Sequence, residues 1–531
     1  MILTLLLTSL YVGVLSDHHG RTNQLPDRST IVHLFEWKWK DIADECERFL
    51  APKGYGGVQI SPPSENLIIH LPNGSRPWYE RYQVMSYKLK TRSGDENDFL
   101  NMTTRCNRVG VRIYADVVVN HMTGDNSNNK GTAGSTADFQ NYHYPAVPYI
   151  REHFHNPPCV INNYNNVRNC QLLGLKDLNQ TIRYVRSKIC LYINHLIKFG
   201  VRSCNLVGLK DLNHTSSYVQ TQIAVFLNNL ISLGVAGFRV DAAKHMWPND
   251  LKEIYKKLKN LNTEFGFAPH TKPFIYQEVI YYGNEPIKPN EYMSFGDVTE
   301  FRVGIELKTV FRGRNSLKWL VSWGEQWGLS PSDTALAFID NHDTQRTSDV
   351  LTYKESRAYK AAIAFMLAHP YGEPRIMSSY AFENSEQGPP TDNKEDILSP
   401  TINEDDTCGS GWVCEHRWRQ IYQMVAFRNI VKGSAIENWW DNGDNQIAFS
   451  RGKKGFIVFN VQASDLSREL KTGLPPGKYC DVISGKREGS RCSGQQILVK
   501  SDSSAHIQLS GSGEDMHLAI HVGAESLLQA A

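Results

Sequence analysis

The stretch Gly237-Phe-Arg-Val-Asp241-Ala-Ala-Lys244-His245 is a short apolar run that ends in a carboxylate. The segments Phe274-Ile-Tyr-Gln-Glu278-Val279 and Ala337-Phe-Ile-Asp340-Asn341-His342-Asp343 share this design. Each predicts a buried β-strand with ionisable side chains at its C-terminal end, where a (β/α)8 barrel carries its functional residues. A single apolar strand ending in Asp indicates only that a loop begins. Three of them, with arginine, lysine and histidine alongside, predict one shared site.

Strand-like and helix-like segments alternate from residue 29 to about residue 430. The first of them are Ser29–Trp37 (strand), Trp39–Leu50 (helix), Gly56–Ser61 (strand), Glu96–Arg108 (helix) and Val111–Asn120 (strand). Such alternation predicts a parallel sheet covered by helices. A polar stretch rich in Asn, Gly, Tyr and Pro then runs from residue 122 to about 169, too long for an ordinary connection. It predicts a small domain inserted after the third strand.

Beyond residue 433 the pattern changes to short alternating strands separated by turns. They are Gln446–Arg451, Gly455–Asn460, Gly477–Ile483 and His506–Leu509. The sequence therefore predicts an α/β TIM barrel with an inserted small domain and a C-terminal all-β sandwich domain. The expected division is a signal peptide (1–16), a first barrel part (17–121), an inserted small domain (122–180), a second barrel part (181–430) and a C-terminal β domain (431–531).

Composition narrows the class of protein. The chain has 531 residues, a formal net charge of +2 and no basic run, which argues against a nucleic-acid partner. Its 11 Trp and 24 Tyr suit a carbohydrate binder, because sugar faces pack on aromatic rings. Residues Met1–Ser16 form a Leu-rich stretch too short to span a bilayer, and no later segment is long and apolar enough. We therefore expect a cleaved signal peptide, secretion and no membrane partner.

An internal repeat lies within residues 167–235. Val167–Thr181 and Val201–Thr215 are versions of one element 34 residues apart, and each continues into an amphipathic helix that ends at Gly200 or Gly234. One hypothesis is that two alternative exons or neighbouring gene copies are joined in this sequence. The competing view is a real insertion, which leaves one extra amphipathic helix whose apolar stripe has to be buried somewhere.

Four segments resemble the signature blocks of the α-amylase family of glycoside hydrolases. They are Val111–His121, Gly237–His245, Tyr276–Val279 and Phe338–Asp343. Further stretches resemble the animal, chloride-dependent α-amylases, namely Ile31–Trp37, Gly56–Pro63, Met366–Tyr371 and Trp412–Trp418. The resemblance covers essentially the whole mature chain. The exception is the repeat, which the family pattern contains once.

Both the residues and the resemblance point to a carboxylate mechanism. Glycoside cleavage needs a proton on the leaving oxygen and attack on, or stabilisation of, the anomeric carbon. Asp241 is the expected nucleophile, because Arg239 on the same strand favours an ionised carboxylate. Glu278 is the expected general acid and base, with a side chain long enough to reach the glycosidic oxygen. Asp343 is expected to orient sugar hydroxyls. The resemblance implies a retaining outcome.

The resemblance also implies two ion sites. Asn120, Arg168, Asp177 and His245 match the family's calcium site, with Arg168 and His245 contributing main-chain carbonyls. Oxygen ligands of this kind suit Ca2+. Arg202 and Asp211 in the second repeat are equally eligible, and the first copy is favoured because it directly follows the inserted domain. The family's chloride site is matched by Arg239, Asn341 and Arg375, and guanidinium and amide groups can hold an anion.

The resemblance places seven residues in the sugar cleft: Trp78, Tyr79, Tyr82, Gln83, His121, Lys244 and His342. Among the ten cysteines it implies the disulfides Cys46–Cys106, Cys159–Cys170, Cys408–Cys414 and Cys480–Cys492, leaving Cys190 and Cys204 in the repeat. The expected protein is a secreted monomer with bound calcium and chloride. It would cut internal α-1,4-glucosidic bonds in starch, glycogen and malto-oligosaccharides. The alternatives are an α-glucosidase on the same barrel and a catalytically silent carbohydrate-binding relative.

Overall fold

The computed structural model describes residues 22–154 and 209–530. Its centre is a closed barrel of eight parallel strands in sequence order. The barrel closes because β1 pairs with β2 on one side, for example Val32 with Val58, and with β8 on the other, for example Val32 with Ile376. The strands are β1 Ser29–Leu34, β2 Tyr55–Ile60, β3 Arg112–Val117, β4 Gly237–Val240, β5 Phe274–Gln277, β6 Asp297–Glu300, β7 Ala335–Ala337 and β8 Glu373–Ser378. The predicted fold class is confirmed.

Helices cover the outside of the barrel. They are α1 Trp39–Glu45, α2 Glu96–Arg108, α3 Ser217–Ser232, α4 Pro248–Lys256, α5 Arg302–Phe311, α6 Ser356–Ala368 and α7 Arg419–Val431. The predicted helix 39–50 continues past α1 as a π-helical turn, Cys46–Leu50. Asp95 begins α2 by accepting hydrogen bonds from the backbone N–H groups of Asn97 and Asp98, which would otherwise lack partners inside the helix. In the part of the chain described, no helix is long and apolar enough to cross a membrane.

The helix that directly precedes β4 comes from the second copy of the repeat. Helix α3 buries the predicted apolar stripe of Val219, Ile223, Phe226 and Leu230. The chain then turns at Gly234, whose φ of +91° lies in the left-handed region that glycine adopts at no steric cost. Strand β4 begins three residues later, at Gly237. The first copy, including its predicted helix and Gly200, lies outside the described residues.

The described part of the inserted region, residues 122–154, has little regular structure. Isolated β-bridges join Lys130 to Thr136 and Tyr144 to Tyr149, and a short 3-10 turn spans Arg151–His153. Its aromatic side chains pack into the same core as the barrel. Phe154 bridges back to Leu212, so this region ends against the segment that leads into α3.

The C-terminal region consists of antiparallel strands. They are β9 Ile436–Asp441, β10 Gln446–Arg451, β11 Gly455–Asn460, β12 Leu466–Lys471, β13 Gly477–Cys480, β14 Arg487–Glu488, β15 Arg491–Cys492, β16 Gln496–Val499, β17 Ser504–Leu509, β18 His517–His521 and β19 Leu527–Ala530. The largest sheet has the order β18-β11-β10-β9. The region contacts helix α6, where Lys360 forms a 2.6 Å ion pair with Asp515 and Arg357 donates to the Gly513 carbonyl at 2.8 Å.

Three of the predicted disulfides lie within the described residues. The structure pairs Cys46 with Cys106, Cys408 with Cys414, and Cys480 with Cys492. The first of these joins the turn after α1 to the end of α2. The fourth predicted pair, Cys159–Cys170, lies outside the described residues, as do Cys190 and Cys204.

Candidate active site

The three predicted carboxylates lie at one end of the barrel. Asp241 directly follows β4, Glu278 directly follows β5, and Asp343 lies in the loop after β7. Because all eight strands are parallel, their C-terminal ends meet at the same rim. Asp241 and Glu278 are buried, with 7% and 5% of their surface exposed, whereas the Asp343 side chain keeps 41% exposure. The structure therefore places the three predicted carboxylates at one rim of the barrel, and the roles predicted for them stay predictions.

A single arginine organises two of these carboxylates. Arg239 Nη1 donates to Asp241 Oδ1 at 2.8 Å and to Asp116 Oδ1 at 2.6 Å, while Nη2 donates to Glu278 Oε1. The other oxygen of Glu278 accepts a hydrogen bond from the Ala242 backbone N–H at 2.9 Å. Ala242 itself has a φ of +50°, so the backbone adopts a rare conformation where it meets Glu278. The carboxylates of Asp241 and Glu278 thus lie on adjacent nitrogens of one guanidinium.

The electrostatics of this cluster favour retained protons. Burial and the negative charge of Glu278 raise the pKa of Asp241 well above its usual range, although Arg239 acts in the opposite direction. Burial raises the pKa of Asp116 as well, again against Arg239. Burial and Glu278 also raise the pKa of Asp343 to about 7. Arg239 acts on Asp241 in the predicted sense, but burial and the negative charges of Glu278 and Asp116 outweigh its effect on the pKa.

The predicted chloride residues lie beneath this cluster. Arg239, Asn341 and Arg375 are all buried. Arg375 Nη1 donates to Gln59 Oε1 at 2.8 Å, while its buried Nη2 has no hydrogen-bond partner among the residues described. Burial, together with the positive charge of Arg239, lowers the pKa of Arg375. An unpaired buried donor beside a second guanidinium fits an anion such as chloride.

Aromatic side chains form one wall of the cleft above the carboxylates. His342 stacks on Tyr82, with ring centroids 5.1 Å apart and planes 6° apart, and Trp78 meets His342 edge-on at 5.4 Å. Tyr82 donates to Asp116 Oδ2 at 2.9 Å, which ties this wall to the Arg239 cluster. Tyr79 packs beside Trp78 at 6.0 Å. The structure thus brings the predicted cleft aromatics together next to the carboxylates.

The other predicted cleft residues border the same space. His121 Nε2 lies 3.0 Å from the Tyr82 carbonyl, and Gln83 Oε1 accepts from the Gly124 N–H at 3.1 Å. Lys244 Nζ donates to the Ile280 carbonyl at 2.9 Å, beyond β5. Burial lowers the pKa of His121 to about 4 and lowers that of Lys244. His121 is therefore neutral near pH 7.

The hydrogen bonds of His121 orient Asn120, a predicted calcium ligand. A backbone carbonyl can only accept, so His121 Nε2 donates to Tyr82 and its neutral Nδ1 accepts from Asn120 Nδ2 at 3.2 Å. Asn120 Oδ1 therefore points away, buried and with no hydrogen-bond partner among the described residues. A buried, unpaired amide oxygen fits a cation that takes oxygen ligands.

The second copy of the repeat lies against Asn120. The Leu212 N–H donates to the Asn120 carbonyl at 2.9 Å, the Met122 N–H donates to the Lys210 carbonyl at 2.9 Å, and a β-bridge joins His121 to Asp211. Asp211 is 1% exposed. The favoured ligands Arg168 and Asp177 lie outside the described residues, as does Arg202. Within the described ranges no cluster of three His, Cys, Asp or Glu side chains could hold a metal. A calcium site here would need amide and main-chain oxygens as well.

Sequence reasoning assigned no role to three residues that the site uses. Asp116 shares Arg239 with Asp241, Gln59 holds Arg375 and accepts from Tyr276 at 3.0 Å, and Arg346 donates to the carbonyl of His342. Asp116 and Gln59 follow apolar runs in β3 and β2, but only barrel closure shows what they face. Strand-end carboxylates around a guanidinium, beneath an aromatic cleft, define a barrel enzyme with acid–base chemistry.

Comparison with known proteins identifies the family. Residues 75–300 match the α-amylase catalytic domain, and residues 437–523 match the α-amylase C-terminal all-β domain. The chain is 54% identical to an α-amylase of Tribolium castaneum over 99% of both chains, and 54% identical to one of Tenebrio molitor over 94% and 98%. The crystal structure of α-amylase I from Eisenia fetida is 41% identical, covers 94% of this chain and 98% of its own, and has a TM-score of 0.83. The chain belongs to the α-amylase family of glycoside hydrolases.

Proposed function

We propose that this protein is a secreted, calcium-bound, chloride-activated α-amylase that cuts internal α-1,4-glucosidic bonds in starch and glycogen. The observation that carries the proposal is the Arg239 guanidinium, which holds Asp241 and Glu278 side by side at the floor of an aromatic cleft. Family membership supports the reaction class, and the insect relatives are named α-amylases. A variant of the Eisenia fetida enzyme has been solved in complex with maltohexaose, which supports malto-oligosaccharides as substrates.

Each carboxylate has a distinct role in this mechanism. Asp241 attacks the anomeric carbon in its ionised form, which the ion pair with Arg239 favours against the effect of burial. Glu278 gives its proton to the leaving glycosidic oxygen, and Glu278 then takes a proton from the water that hydrolyses the glycosyl-enzyme. The guanidinium that they share supports a short separation between the two carboxylates. Retaining enzymes require such a separation, because a short gap leaves no room for a water between the nucleophile and the sugar. Asp343 faces the cleft with its exposed edge and accepts hydrogen bonds from sugar hydroxyls.

The cleft side chains bind and orient the sugar chain. Trp78, Tyr79 and Tyr82 offer ring faces and edges on which glucose units pack, and His342 lies against Tyr82 and Trp78. His121 is neutral near pH 7, so it can hydrogen-bond a hydroxyl without adding charge to the acid–base cluster. Gln83 and Lys244 complete the cleft borders.

The proposal includes two bound ions, calcium and chloride. Asn120, Asp211 and the main-chain carbonyl of His245 would hold calcium, with Arg168 and Asp177 of the first repeat copy as the alternative to Asp211. When bound, the cation would tie the inserted region to the barrel rim. Arg239, Asn341 and Arg375 would hold chloride, whose negative charge would offset the guanidinium charge beneath the catalytic pair.

The first test is starch hydrolysis by the purified protein with calcium and chloride. We expect rapid loss of iodine colour before free glucose accumulates, and a product with the α-anomeric configuration by proton NMR. Glucose released from chain ends at the outset would instead indicate an α-glucosidase. A folded protein that binds starch without cutting it would indicate a silent relative.

Three variants make this test specific. D241N and E278Q keep the size of each side chain but remove the nucleophile or the proton donor, so each should lower kcat by at least about 10³-fold, in line with the loss of a covalent or general-acid step. A form lacking Arg168–Val201 retains one repeat copy and should be active. If only this shortened form hydrolyses starch, the joined-gene hypothesis gains support.

A further inference from the structure

Arg346 lies three residues after Asp343, at the end of the short turn Thr344–Arg346. All three of its side-chain nitrogens donate hydrogen bonds. Nε donates to the Ser385 carbonyl at 3.0 Å, Nη2 donates to the Tyr380 hydroxyl at 2.8 Å, and Nη1 donates to the His342 carbonyl. Hydrogen bonds from all three nitrogens of a planar guanidinium fix a side chain far better than a single contact does.

The same guanidinium packs among aromatic rings. Its central carbon is 4.6 Å from the ring centroid of Phe382, 4.7 Å from that of Trp78 and 5.6 Å from that of Phe35. Cation–π contacts at these distances favour a guanidinium over a neutral group. Arg346 thus lies in contact with rings from separate segments of the chain, Phe382 in the loop after β8 and Trp78 in the loop after β2.

The Ser385 carbonyl is a shared acceptor. Trp78 Nε1 also donates to it, at 2.8 Å, and the Tyr380 hydroxyl donates onward to the Gln387 carbonyl at 2.8 Å. One residue further, Glu386 accepts from the Tyr79 hydroxyl at 3.3 Å. The loop 382–387 is thus held against the cleft aromatics, and Arg346 contacts it directly at the Ser385 carbonyl and the Phe382 ring.

Arg346 has no acidic partner among the residues described, unlike Arg312, which pairs with Glu355. Its positive charge therefore acts on its surroundings: it opposes the rise in the pKa of Asp343 that burial and Glu278 cause, and it adds to the lowering of the pKa of His342 by burial. The other charged or titratable groups that face Asp343 across the site are Glu278, Arg239, Asp116, His342, Tyr82 and Tyr282.

We infer that Arg346 is a positioning residue for catalysis: it fixes the backbone that carries Asp343 and locks the loop 382–387 against Trp78 as a wall of the sugar cleft. This inference rests on the proposed function, because it assumes that Asp343 contacts the sugar. It assigns a task in the reaction to a side chain that does not itself touch the reacting atoms.

The test compares R346K, R346M and a control with the unchanged protein. R346K keeps the charge but loses the fork, and R346M loses both. We expect kcat/KM on maltoheptaose to fall about 10-fold in R346K and up to about 100-fold in R346M, since small misplacement of a catalytic group is costly. In R346M the acidic limb of the pH–rate profile should also move up by about half a pH unit, because Asp343 loses a positive neighbour. R346K should keep that limb in place.

Lys354 supplies the control. Its Nζ lies 4.0 Å from the same Phe382 ring, so K354M removes a neighbouring cation without touching the loop hydrogen bonds. K354M should retain unchanged kinetics. If R346M and R346K fold and match the unchanged protein in kcat/KM and pH profile, the inference is overturned. If R346M does not fold, R346K decides by the same kcat/KM criterion. Absence of starch hydrolysis by the unchanged protein would instead refute the proposed function.

Discussion

Replacing Arg239 with methionine should destabilise the protein in a pH-dependent way. The side chain is 1% exposed and serves Asp116, Asp241 and Glu278 at once. R239M fills a similar volume but leaves three buried carboxylates without their cation. We therefore expect the cluster that is proposed to perform catalysis to contribute strongly, through its charges, to the free energy of unfolding.

The magnitude follows from burial and linkage. Removing one partner of a buried ion pair costs about 3–5 kcal/mol. This is a large part of the free energy of unfolding of a typical domain, which is about 5–15 kcal/mol. Three charge-assisted hydrogen bonds at about 1.5–3 kcal/mol each would sum to more, but the carboxylates can bind protons instead. Their pKa values, already raised in Asp116 and Asp241, rise further without Arg239. A folded state that binds more protons than the unfolded state loses stability as pH rises. The deficit should thus be about 3–5 kcal/mol at pH 8 and shrink towards pH 5.

The assay is urea unfolding followed by tryptophan fluorescence between pH 5 and pH 8. A surface arginine provides the control: Arg108 pairs with Glu47 at 2.6 Å but its side chain is 68% exposed, so R108M should cost less than about 1 kcal/mol at every pH. A deficit for R239M that stays below about 1 kcal/mol, or that does not change with pH, would refute the reasoning about the carboxylate cluster.

Three further predictions concern the calcium site, the chloride site and Glu306, an acid outside the Arg239 cluster. D211N should weaken calcium affinity at least about 10-fold in direct titration while D177N leaves it unchanged, and the reverse result would assign the site to the first repeat copy. R375Q should abolish the rise in activity when sodium gluconate is replaced by sodium chloride, and an unaltered chloride response would exclude Arg375 from the site. Glu306 is half-buried, and this partial burial raises its pKa from 4.5 to about 7, so ionising it costs up to about 3 kcal/mol. E306Q should therefore raise the urea midpoint at pH 8 and not at about pH 3.5, where both states bind the proton. Equal gains at both pH values would show that packing, and not charge, is responsible.

Much of the barrel could be predicted from short apolar runs. The predicted strand 111–120 is observed as β3 Arg112–Val117, and the predicted helix 96–108 is observed with the same ends. Periodicity identifies such elements because burial of one face repeats along the chain. The partners of Arg239 could not be predicted in the same way. Asp116 and Glu278 are 162 residues apart in sequence, and they meet only because parallel strands align their ends in the closed barrel.

The two repeat copies match the calcium motif equally well, but the way the chain connects to β4 distinguishes them. By local sequence, Asp177 and Asp211 are equivalent, and the first copy looks better placed because it directly follows the inserted region. However, α3 ends at Ser232 and β4 begins at Gly237, a connection of the short length that α/β units use. Whichever copy directly precedes β4 must supply the helix that covers the barrel there. Its leading segment, Lys210 to Leu212, is then drawn against Asn120 at the rim. The short helix-to-strand connection thus favours Asp211 as the calcium ligand, and this constraint could be read from the spacing alone.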